Sequence, residues 1–77
     1  MACCAGPNWE PLRDLGESGS FDFILGRCAS CGKHLMHVWR MGDGEYLEVN
    51  PEDVERFLHA ERGPELKEML RDWFWDR

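Results

Sequence analysis

The sequence predicts an α+β fold: a small antiparallel sheet of about three strands followed by two C-terminal helices, in one domain over residues 1–77. Three observations predict it. Residues 21–49 alternate apolar and polar side chains between Gly-containing breaks, as half-buried strands do. Asn50-Pro51-Glu52-Asp53 is a helix start, and beyond it the apolar spacing becomes helical. Four cysteines occur as two pairs, Cys3 with Cys4 and Cys28 with Cys31. Such pairs give a chain too short for a large core a means of closing its sheet.

The elements follow in order. Residues 1–7 hold the first cysteine pair and break at Gly6-Pro7. Asn8 to Leu15, anchored by Trp9, is a candidate strand that Pro11 would confine to an edge, because proline donates no ladder hydrogen bond. Gly16-Glu17-Ser18-Gly19-Ser20 reads as a loop. Phe21 to Arg27 is a strand, then Cys28 to Gly32 a turn. In the next strand, His34 to Met41, one face takes Leu35, His37, Trp39 and Met41, and the other His34, Met36, Val38 and Arg40. Gly42-Asp43-Gly44 reads as the hairpin turn, and Glu45 to Val49 returns as a strand. Asn50 is an N-cap, Pro51 suits the first helical position, and Glu52 and Asp53 suit the positive end of the helix dipole. Val54, Phe57 and Leu58 form that helix's apolar face. Gly63-Pro64 separates it from a last helix, Glu65 to about Arg77, in which Leu66, Met69, Leu70, Trp73 and Phe74 repeat at i, i+3, i+4, i+7 and i+8. Residues 1–50 thus make a metal-bound sheet and 51–77 a helical tail.

Net charge is −6, which argues against a general nucleic-acid binder, since phosphate contacts need a basic surface. The charge is uneven. Residues 23–42 contain no acid and three bases, Arg27, Lys33 and Arg40, whereas both flanks are net acidic. Met-Ala-Cys-Cys-Ala-Gly-Pro has neither a basic start nor an apolar run, so no signal peptide or membrane span is expected and the chain reads as cytoplasmic. In a reducing compartment, paired cysteines point to metal or redox chemistry before structural disulfides.

Cys-x-x-Cys-Gly is the turn by which two thiolates grip one ion. The glycine after the second cysteine permits a positive φ and lets backbone N–H groups face the sulfurs. A second pair lies 23 residues upstream, enough for a strand out, a loop and a strand back. A metal on Cys3, Cys4, Cys28 and Cys31 would then clamp both ends of a hairpin, which is the plan of a zinc ribbon. Adjacent side chains in extended backbone point to opposite sides, so Cys3 and Cys4 bind one ion only if the chain kinks there. The rival ligand set uses one of them with Cys28, Cys31 and a histidine, His34 or His37. Zn2+ is the expected ion, with iron the alternative. Arg27 and Lys33 beside the thiolates either offset the charge of the site or form part of a recognition patch.

Where Gly26-Arg27-Cys28-Ala29-Ser30-Cys31-Gly32 follows Phe21-Asp22-Phe23 and precedes Trp39, the chain resembles small bacterial zinc-ribbon-like proteins of uncharacterised function. The resemblance covers roughly residues 3–50 and is carried mostly by Cys28, Cys31 and Gly32. It implies zinc and a short antiparallel sheet, and no activity. The adjacent Cys3-Cys4 departs from the usual Cys-x-x-Cys first knuckle, and the helical tail lies outside the resemblance.

A closed four-ligand site leaves no position for water or substrate, and no nucleophile stands beside a base. The expected function is therefore a protein-interaction or adaptor module rather than an enzyme. Its partner, another protein or a second copy, would meet the aromatic C-terminal helix. Trp73 and Trp75 point about 200° apart there, so one core cannot take both. The alternatives are a nucleic-acid-binding ribbon using the basic 27–40 hairpin, and a thiol redox or metal-handling protein using Cys28 and Cys31.

Overall fold

Four strands hydrogen-bond in chain order into one antiparallel sheet, and two helices follow. The strands are β1 (Trp9–Ser18), β2 (Phe21–Cys28), β3 (His34–Arg40) and β4 (Asp43–Glu48); the helices are α1 (Pro51–His59) and α2 (Pro64–Trp75). The computed structural model describes residues 8–75.

The α+β class and both helices agree with the sequence reading, but the sheet has four strands instead of about three. The difference lies in β1. Residues 16–18, expected in a loop, continue the strand, because two register shifts, between Pro11 and Arg13 and between Asp14 and Gly16, absorb the residues that do not fit a regular ladder. Gly16 takes φ +86° there, and its N–H donates to Asp14 Oδ1 at 2.9 Å. Pro11 is tolerated because β1 is an edge strand.

Two-residue turns close the hairpins. Gly19 and Ser20 (φ +59° and +72°) join β1 to β2, and Met41 and Gly42 (φ +47° and +90°) join β3 to β4. Positive φ at both central residues is the I′ form, whose twist matches that of the strands it joins. The second turn is Met41-Gly42, not Gly42-Asp43-Gly44, because Arg40 pairs with Asp43 and Trp39 with Gly44.

The helices cover one face of the sheet. Phe23 and Leu25 of β2 lie opposite Val38 and Met36 of β3, and these four pack with Leu15, Val54, Phe57, Leu66 and Leu70 in a core in which each is at most 5 % exposed. Asn50 starts α1 as expected: its Oδ1 accepts from Asp53 N–H at 2.8 Å. Strand β1 ties the helices down through their carbonyls. Arg13 donates to Phe57 O at 2.6 Å, near the end of α1 where carbonyls lack helical partners. Ser18 Oγ donates to Lys67 O of α2 at 2.7 Å.

Candidate functional site

The Cys28–Cys31 turn joins β2 to β3. Cys28 N–H donates to Lys33 O at 2.8 Å and Gly32 N–H to Cys28 O at 2.9 Å, so the five residues after Cys28 curl into a closed loop. Gly32 has φ +81°, the left-handed conformation expected of the glycine that follows the second cysteine. Cys28 is buried at the end of β2 and Cys31 is exposed on the loop. Strand β1 begins beside this loop. Trp9 pairs with Cys28, and Ala29 N–H donates to Asn8 O at 2.7 Å. Cys3 and Cys4 lie outside the described residues.

Among the described residues, no group of three or more His, Cys, Asp or Glu side chains is placed to hold a metal. His34 opens β3 opposite Arg27. His37 sits further along β3, stacked on Tyr46 of β4 with ring centroids 4.7 Å apart. The loop has strands on both sides and no helix N-terminus at the motif, which is the feature that lowers a thiol pKa in Cys-x-x-Cys redox proteins.

The second notable feature is the face of the sheet opposite the core. The Trp9 indole lies on Gly26 and donates its Nε1–H to Leu35 O at 3.0 Å. It meets His37 and Tyr46 edge-on, at 5.5 and 5.4 Å. Trp39 is on the same face at 42 % exposure. The alternation along β3 places Leu35, His37 and Trp39 together, as expected. That the Met36 and Val38 side is the buried one was not legible, because both sets mix apolar and polar residues and only the packing of the helices distinguishes them.

The two arginines of the central segment do not share this face. By register Arg27 and Arg40 lie on the helix side. Arg27 approaches Glu10 at 3.7 Å, and the Arg40 guanidinium lies 5.5 Å from the centre of the Phe21 ring. The hairpin that reads as a basic aromatic stretch in sequence is split by the pleat into an aromatic side and a basic side.

On α2, Trp73 meets the buried Phe57 edge-on at 5.9 Å, while Trp75 is left 69 % exposed. An open cleft of about 640 Å³ between the end of β4 and the two helices is lined by Asn50, Asp53, Arg56, Asp72 and Trp73 among others. Four of these are already engaged, Asn50 and Asp53 as the cap of α1, Arg56 with Asp53 and Trp73 with Phe57. No helix among the described residues is long and apolar enough to cross a membrane. Comparison of the chain with protein-family models, curated proteins and solved structures finds no match.

Proposed function

We propose that the chain is a small binding module whose sheet is clamped by zinc on Cys3, Cys4, Cys28 and Cys31, with no catalytic chemistry of its own. One observation carries the reading: the start of β1 is hydrogen-bonded to the cysteine loop, Asn8 O to Ala29 N–H. Only Ala5, Gly6 and Pro7 separate Cys4 from Asn8, and a span of four residues reaches at most about 14 Å. A tether of that length permits the N-terminal thiols to approach the loop that carries Cys28 and Cys31. Two thiolates on one Cys-x-x-Cys-Gly loop and two more from an adjoining segment make a donor set that suits Zn2+ over harder ions. Bound zinc would link the first residues of the chain to the β2–β3 loop, and its binding energy would add to folding. Four protein ligands would leave it no open position, so it would be structural.

Elemental analysis combined with chelation tests this reading. The purified protein is expected to carry about one zinc per chain and to lose its circular dichroism when zinc is stripped. Cys28→Ser and Cys31→Ser are expected to lose the metal, and Cys3→Ser and Cys4→Ser then count the N-terminal ligands. A protein without zinc whose spectrum ignores the chelator would overturn the metal clamp.

The nucleic-acid reading is less well supported, because the aromatic and basic side chains of the 27–40 segment occupy opposite faces of the sheet. The redox reading loses support from the strand that follows the motif in place of a helix.

A further inference from the structure

We infer that the open face of the sheet binds an extended Lys/Arg-rich segment of a partner protein. This deepens the binding-module reading and rests on it, naming the surface and the chemistry of the partner. The helices pack on the Phe23, Leu25, Met36 and Val38 side. The opposite side presents Trp9, His37, Tyr46 and Trp39, the first three in mutual ring contact.

Charge selects the occupant. Asp14 pairs with Ile24, Glu17 with Asp22, and Asp22 with Trp39. Directly opposed residues project to the same side of a sheet, so these three carboxylates share the aromatic face. By the same registers no Lys or Arg of the four strands lies on it, since Arg13, Arg27 and Arg40 all fall on the helix side. Arg62, between the two helices, donates to the Asp14 carbonyl, so the carboxylate that stands directly beside a ring is Asp22, opposite Trp39. Ring faces next to carboxylates attract ammonium and guanidinium groups through cation–π contact and charge-assisted hydrogen bonds. Asp22 and Trp39 are direct cross-strand neighbours, with Cβ atoms about 5 Å apart in such a pair. One Lys or Arg side chain can therefore meet the ring and the carboxylate together. The same acids repel a phosphate backbone and a second copy that presents the identical face.

The full chain with its native metal content is titrated with an unstructured peptide of alternating Lys/Arg and Gly/Ser. A matched Asp/Glu peptide and a single-stranded oligothymidine serve as comparisons. Backbone amide NMR shifts locate binding, and fluorescence anisotropy of the labelled peptide gives affinity. The basic peptide is expected to shift His37, Trp39 and Tyr46, and the two comparison ligands are not. Trp39→Ala and Asp22→Asn, each verified as folded by its spectrum, are expected to weaken binding about three- to fivefold. Glu68→Gln on α2 is expected to leave it unchanged. Any of four results would overturn the inference: no shifts on this face, equal weakening by Glu68→Gln, oligothymidine bound at the same residues, or a dimer that Trp39→Ala abolishes. Zinc content separates the two readings. A zinc-loaded, folded protein that ignores the peptide removes this inference alone, and a zinc-free protein that binds the peptide removes the metal clamp alone.

Discussion

A Cβ added to Gly26 would collide with the Trp9 indole and sit 2.5 Å from the Glu10 carbonyl oxygen. Glycine is needed here for close approach, since the indole uses the space of the missing side chain to reach Leu35 O. Gly26→Ala is expected to cost about 1–3 kcal/mol, the usual range for forcing a side chain into occupied space. It should also displace Trp9 from its contacts with His37 and Tyr46. A urea titration followed by tryptophan fluorescence checks both effects, as a lower midpoint and an altered folded-state emission. None of this was legible in the sequence. Trp9 reads there only as a strand anchor and Gly26 only as the residue ahead of a metal turn. Their contact depends on the register that sets Pro11 against Gly26, and pairing at that separation leaves no local pattern. By contrast, the left-handed Gly32 was legible, because its role is fixed within a few residues of Cys31.

At the scale of elements the same division holds between local and distant causes. The start of α1 could be read from four consecutive residues because an N-cap acts within one turn. Asn50→Ala removes the acceptor of the Asp53 N–H bond and is expected to cost about 1 kcal/mol, read as a shift in the thermal midpoint with little change in helical signal at low temperature. The extent of β1 was not readable in that way. Gly16 to Ser20 has the composition of a loop, yet pairing with Phe21, Asp22 and Phe23 holds residues 16–18 in the sheet. The β3–β4 turn was displaced because Gly42-Asp43-Gly44 offers two glycines on which to bend. The choice follows from aligning Met36 with Leu47 and Val38 with Glu45, and that alignment keeps Met36 and Leu47 on the helix-covered side. Helix α2 was read correctly in its apolar stripe, and its start is one residue earlier than expected, at Pro64.

Across the whole molecule, the arrangement separates functions that overlap in sequence. The central segment holds the cysteine loop, the aromatic residues and the bases, and the pleat sends Arg27 and Arg40 to the side opposite His37 and Trp39. Of the four cysteines proposed as ligands, Cys28 and Cys31 could be read from their spacing and lie on one loop, whereas Cys3 and Cys4 lie outside the described residues. At the end of α2, Trp75 is left exposed. Trp75→Ala is expected to change stability by no more than about 0.5 kcal/mol, as for other exposed positions, while weakening any self-association seen by sedimentation. Loss of folding would instead assign Trp75 to the core. The strand order also leaves two edges, β1 and β4. On β1, Pro11 removes a donor and two register shifts interrupt the ladder. Strand β4 is six residues long and carries Asp43, Glu45 and Glu48. Neither border offers the long, regular, uncharged row of amides and carbonyls on which identical sheets join end to end. The irregularities that obscure β1 in the sequence thus protect the protein from fibril growth, and a variant that straightened this strand would give up that protection.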